Sequence, residues 1–339
     1  MTNTSFLKTV CSHLQMILTE IFNHSSKDAA LVIYDEKASL TRLLTSAYCK
    51  ILPQATLLNF DQMEAGKILK ILETLSKGTL IILIQSTSFR LNAFRLRVEL
   101  FNRGMKVIEH PHLGRVHENE SATYIESLAY DRDYYQHMGP ALKQRLDQAE
   151  EVSLLSGPYT LTYQGHLEPA KLNIGDYSGL KNIGGQFPIG EVFTELCDLT
   201  KLNGKISLFA FGDRNFSVFN CPIPMIITIQ EGRLIETQNT VPDFEAILDE
   251  IRGEEGEVWV RELGFGLNRA MTREIQIRDD VGTYERMCGV HLSLGSKHTV
   301  YPKKGFRKKK MKYHVDVFVA VDTVFVSGET IFKNGRYLV

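Results

Sequence analysis

About 150 residues at the start of the chain alternate between two rhythms, and no other feature restricts the fold as much. Short apolar runs ("AALVIYD", "ATLLNF", "GTLIILIQ", "MKVIEH") are separated by segments whose apolar residues recur every three or four positions. In "SLTRLLTSAYCKIL" that stripe is Leu40, Leu43, Leu44, Ala47 and Ile51. "MEAGKILKILETL" and "LNAFRLRVELFNRG" repeat it, the latter closing on Gly104. Continuous apolar strands joined by amphipathic helices build a parallel sheet covered on both faces. Residues 1–150 therefore read as an open, Rossmann-like α/β domain. It has no nucleotide fingerprint: "YDEKASL" follows the first strand where a dinucleotide site needs GxGxxG.

From Glu151 the pattern changes to alternating strands and tight turns such as "QEGR" and "KNGR". Only "VPDFEAILDEIR" and "EVFTELCDLT" look helical there. Residues 151–339 thus read as a β-rich α+β domain. Net charge is −1, which gives no global signal for nucleic acid or an anionic membrane. Five widely spaced cysteines without a CxxC suit a reduced, cytoplasmic chain. The N-terminal segment has helical apolar spacing rather than a signal-peptide pattern, and no apolar run reaches the ~20 residues of a membrane span.

The second half also holds acids and imidazoles in unusual places. In "KYHVDVF", His314 and Asp316 share one face of a strand whose valines hold every other position. That face continues as Phe318 and Ala320, so the pair lies on an otherwise apolar surface, where it needs a partner. A solvated strand face is the competing reading. Glu262 in "VWVRELGFGLN" continues the parity of Val258 and Val260; the alternative is an exposed loop acid. Glu191 follows a shaped loop containing Gly184, Gly185, Pro188 and Gly190, which can press a carboxylate into a site or form an ordinary turn. His291 alternates with Val290 and Leu292, and His298 follows in the next loop. A strand histidine can equally be a hydrogen-bonded core residue. Together these residues make a mixed oxygen and nitrogen donor set suited to Zn, Co or Mn. A carboxylate-rich set of five suits two ions, a composition used for water activation in amide or phosphoester hydrolysis.

At these residues the chain resembles the aminopeptidase T / aminopeptidase S family of leucyl aminopeptidase-like metallopeptidases. The resemblance covers residues 182–320 in motif terms. It implies metal-binding roles for Glu191 in "PIGEVF", Glu262 in "ELGFGLN", His291 in the HxxxG segment "HLSLG", and His314 with Asp316 in the closing HxD. It implies two divalent ions, a peptide or small-molecule substrate, a homodimer and removal of N-terminal residues. Glu262 or Glu191 would take the proton from the attacking water, and His298 or Tyr301 would stabilise the oxyanion. The family has a tyrosine where this chain has His298. The 2,5-dihydroxypyridine dioxygenases, which look like the same fold, offer an alternative: one Fe(II) held by two His and one carboxylate. A third possibility is a metal-binding homologue with altered catalysis. The basic run "KKGFRKKKMK" at 303–312 reads as a solvated rim, or as a cationic lip for a substrate carboxylate.

Overall fold

The computed structural model describes residues 3–91, 94–213, 215–303, 306 and 311–339. The chain is mixed α/β, with a parallel five-stranded sheet and a large antiparallel sheet. It divides into two compact units: residues 1–132 with 175–189, and residues 133–174 with 190–339.

In the first unit the sheet order is Ile183–Gln186, Lys106–His110, Leu80–Ile84, Ala30–Tyr34, Thr56–Asn59, all parallel. Leu80–Ile84 is buried at every position, as a strand covered on both faces must be. The helix Ser39–Ile51 buries Leu40, Leu44, Ala47 and Tyr48, close to the stripe legible in the sequence. Helices Ala65–Thr74 and Leu96–Asn102 bury Ile68, Leu72, Leu96 and Leu100 in the same core as Ile81 and Leu83. Open α/β sheets ordinarily take ligands where strand order reverses, here between the ends of Ala30–Tyr34 and Leu80–Ile84. At that point Asp35 Oδ2 accepts from Ser86 N at 2.7 Å and Ser86 Oγ at 2.8 Å.

The division differs from a single boundary near 150. Helix Arg132–Asp147 falls almost wholly in the second unit, and 175–189 returns to the first. The return has a clear cause. Ile183–Gln186, which reads in sequence as a shaped loop, is a fifth parallel strand against Lys106–His110. Gly184 has φ +105°, and a Cβ there would lie 1.9 Å from the Val107 carbonyl oxygen, so only glycine permits this pairing.

In the second unit the central run of the sheet is Leu202–Gly212, Val315–Val319, Gly289–Leu294, Val260–Gly266, Glu191–Thr194, Lys171–Asn173, each pair antiparallel. Val260–Gly266 and Val315–Val319 are buried throughout. The helix Pro242–Glu255 is where the sequence places it. "EVFTELCDLT" is not helical: Glu191–Thr194 is a strand held on both edges, by Val260–Gly266 and by Lys171–Asn173. Pairing on two sides overrides the helix-like spacing of so short a segment. Among the described residues no helix is long and apolar enough to cross a membrane.

Candidate metal centre

Register brings Glu191, His291 and Asp316 together. Residues directly opposite in an antiparallel ladder project from the same face. Glu191 lies opposite Gly266, His291 opposite both Gly264 and Phe318, and Ser293 opposite Asp316. Glu191, His291, Ser293 and Asp316 therefore share one face across four adjacent strands, and the glycines between them keep it open. Gly264 shows the constraint sharply: a Cβ there would lie 2.0 Å from His291 Nε2. Replacing Gly264 with Ala should displace the His291 ring and weaken metal binding about 10–100-fold, measured by zinc titration against a chromophoric chelator.

Glu262, two residues before Gly264, lies on the same face, and a bulge just before it turns Val260 to the opposite one, so Glu262 does not continue the face of Val260 as the sequence parity suggests. Val260 lies opposite Leu294 but Leu263 opposite Leu292, so the strand carries one extra residue at Arg261–Glu262. The Glu262 N–H donates to Ser293 Oγ at 3.1 Å.

The donors fall into two groups that meet at Glu262. In each of the sets Glu191, Glu262, His291 and Glu262, His314, Asp316, one ligand atom per residue lies within 4.8 Å of the others. His291 Nε2 is 3.3 Å from Glu191 Oε1 and 3.2 Å from Glu262 Oε1. His314 Nε2 is 3.1 Å from Asp316 Oδ1. Two donors on one cation at metal distances of ~2.0–2.2 Å stand about 3.0–3.5 Å apart, so these spacings, which are also hydrogen-bond distances, would admit a shared ion. The buried Asp316 Oδ1 has no donor in hydrogen-bond geometry, despite its nearness to His314. His314 Nδ1 lies 2.9 Å from the Lys297 carbonyl; donating there leaves Nε2 with its lone pair toward Asp316. The residues present fit divalent cations.

Charge supports the same reading. Glu191 is paired with Arg286 at 2.9 Å. Glu195 is paired with Arg261 at 2.7 Å and with Lys303 at 3.3 Å. Among the described residues, the cationic groups within ion-pair distance of Glu262 and Asp316 are imidazoles. Burial disfavours charge on His291, but Glu191 and Glu262 outweigh it and raise its pKa to about 10. Burial likewise opposes charge on His314, which Asp316 and Glu262 raise to about 10. Burial pushes Glu262 up, yet His291 and His298 hold it well below its ordinary value. Burial raises Glu285 to about 8, with Arg286 opposing and Asp316 and Glu191 adding to the rise.

These shifts fix the sign of a pH dependence. A cation must displace the protons on His291 and His314, so its affinity should rise as pH climbs toward about 10. Titration calorimetry in buffers of different ionisation enthalpy should show proton release on binding. In the apoprotein the trend is opposite. The two raised imidazoles stabilise the fold fully below their ordinary value of 6.5, and this contribution is lost as pH passes through about 10.

Of the two further residues expected to act in catalysis, His298 joins the cluster and the Tyr301 hydroxyl does not. His298 Nε2 is 3.0 Å from Glu262 Oε2, and its Nδ1 is 2.8 Å from Glu195 Oε2. Tyr301 shares its single hydroxyl proton between the Pro169 and Phe193 carbonyls, and its ring meets His298 edge-on. Among the described residues, the Tyr301 hydroxyl thus has its hydrogen bonds to those carbonyls and none to the acids of the cluster. The structure adds Glu195, Arg261 and Arg286. Arg261 could have been noticed, as a cation inside the apolar run "VWVRELGFG". Glu195 and Arg286 find their partners at long range and leave no local pattern. Of the basic run, residues 304–305 and 307–310 lie outside the described residues. At its ends Lys303 pairs with Glu168 at 2.5 Å, Phe306 meets Trp259 edge-on, and Lys312 pairs with Glu254.

No family model matches the chain, and no curated protein does. Solved structures do. The chain is similar to 2,5-dihydroxypyridine dioxygenase from Pseudomonas putida KT2440, with TM-score 0.61 and 12% identity over 100% of this chain and 98% of that one. It is also similar to wild-type AmpT from Thermus thermophilus, with TM-score 0.57 and 12% identity over 98% of this chain and 100% of that one. At such identity the likeness is one of fold, and both neighbours share it across their full length.

Proposed function

We propose that the second unit is the catalytic domain of a metal-dependent, aminopeptidase-like hydrolase that removes N-terminal residues from peptides. The observation that carries this reading is Glu262, whose carboxylate belongs to both donor groups and can bridge two cations. Glu191, Glu262 and His291 would hold one ion, and Glu262, His314 and Asp316 the other. When bound, such a pair polarises a carbonyl and makes a water acidic enough to attack it at neutral pH. The chain's own residues do the rest. Arg286 engages Glu191 Oε2, so Glu191 presents Oε1 to the site. The carboxylates of Glu191 and Glu262 are placed to take a proton from an attacking water. An unblocked substrate amine is a cation, and the acid-rich face supplies its counter-charge. The fold shared with AmpT, an aminopeptidase T, supports this reading.

A second reading has its own support. The fold is also that of a ring-cleaving dioxygenase, and His314, Asp316 and His298 include the two imidazoles and one carboxylate that hold Fe(II) in such enzymes. The two readings separate in one experiment. Protein loaded with two equivalents of Zn, Co or Mn should release chromophore from a panel of aminoacyl anilides. Oxygen uptake with 2,5-dihydroxypyridine and a single iron, and no anilide hydrolysis, would favour the dioxygenase instead.

A further inference from the structure

His298 is the one imidazole of the cluster that the two donor groups do not use, yet it is the most elaborately held. Its Nδ1 meets Glu195 Oε2 at 2.8 Å. Glu195 is itself fixed: Arg261 Nε donates to Oε2 at 2.7 Å and Arg261 Nη2 donates to Oε1 at 2.9 Å, with both side chains fully buried. Arg261 is locked further by the carbonyls of Ser296 and Tyr301, which flank His298 in the chain. A carboxylate on Nδ1 is the usual support of a metal-binding histidine, because it sets the tautomer that leaves Nε2 with its lone pair. That Nε2 faces Glu262 Oε2 at 3.0 Å, within the spacing of two ligands on one ion. The His298 ring centroid lies 5.7 Å from that of His314. Two imidazoles on one tetrahedral cation, with metal–nitrogen distances of ~2.1 Å, hold their centroids about 5–6 Å apart.

We propose that His298 is a ligand of the second cation position, presented by Glu195 as a positioning residue. That position would then have four protein donors, with the His298 ring closing by a small rotation on the set Glu262, His314 and Asp316, outside which it now stands. The first has three: Glu191, Glu262 and His291. Four protein donors make a closed site of the kind that holds an ion permanently, and three leave a coordination place for water or substrate. The centre is thus asymmetric, with a tight ion between His298 and His314 and an exchangeable ion beside His291. This inference rests only on the metal-binding part of the function proposed above, not on hydrolysis.

The test is zinc X-ray absorption on the full-length protein at one and then two equivalents. At one equivalent we expect two imidazoles per zinc. At two equivalents the average should fall to about 1.5, since three imidazoles then serve two ions. One imidazole per zinc at the first equivalent would overturn the proposal while leaving metal binding intact. Failure to bind zinc at all would overturn both this proposal and the functional reading beneath it. A His298→Gln variant should lose about 10–100-fold in affinity for the first equivalent, with the second unchanged. Unchanged affinity for the first equivalent in a variant with native circular dichroism would equally remove His298 from the site.

Discussion

Replacing Glu262 with Gln should abolish turnover and weaken both metal positions while leaving the fold intact. The other proposed ligands belong to one donor group each, whereas Glu262 belongs to both. The amide keeps the shape and one acceptor oxygen, and the backbone N–H bond of residue 262 to Ser293 Oγ is untouched. It loses the negative charge that His291 and His298 now answer. Loss of a bridging acid removes both ion positioning and a proton acceptor, for which a fall of about 10^3-fold or more in kcat/KM is expected. The checks are steady-state kinetics on an aminoacyl anilide, metal content after dialysis, and thermal unfolding of the apoprotein. Wild-type rates in this variant would take Glu262 out of the mechanism. Replacing Glu191 with Gln should be milder for metal content, removing one equivalent and leaving the other.

Stability should respond most to Arg261. Its guanidinium is fully buried and makes a bidentate pair with an equally buried Glu195, plus two hydrogen bonds to backbone carbonyls. Replacing Arg261 with Met removes one partner and strands the other. Breaking a buried pair in this way costs about 3–5 kcal/mol. Lys303, 3.3 Å from Glu195, can recover part of that loss. The double replacement Arg261→Met with Glu195→Leu should be closer to wild type than Arg261→Met alone, because no uncompensated charge remains. Urea unfolding of the wild type and these two variants measures this. A single Arg261→Met variant as stable as wild type would mean that the pair contributes nothing, and that His298 is held in place by other contacts.

How much of this was legible in the sequence depends on the distance over which each residue acts. The alternation around His314 and Asp316 and around His291 was local, and the strands Val315–Val319 and Gly289–Leu294 follow it. The register that sets His291 beside Gly264 was not local, but the glycines of "ELGFGLN" hinted at a close approach. The bulge at Arg261–Glu262 was invisible because the strand is buried on both faces, so a one-residue change of phase makes no break in the apolar run. Glu195 was hidden for a related reason. Its segment has helix-like spacing, and only the strands on either side of Glu191–Thr194 make it extended. The boundary between the units was illegible because Ile183–Gln186 joins a sheet whose other strands lie more than 70 residues earlier. Such a return depends on Gly184 alone among nearby signals, and a glycine by itself reads as a turn.

Crystals of the protein soaked in zinc or manganese and measured at the metal absorption edge would decide the matter. Two anomalous peaks are expected, one among Glu191, Glu262 and His291, and one among Glu262, His298, His314 and Asp316. No peak on this face of the sheet, in crystals grown near neutral pH with metal present, would contradict the metal centre and the activity proposed from it.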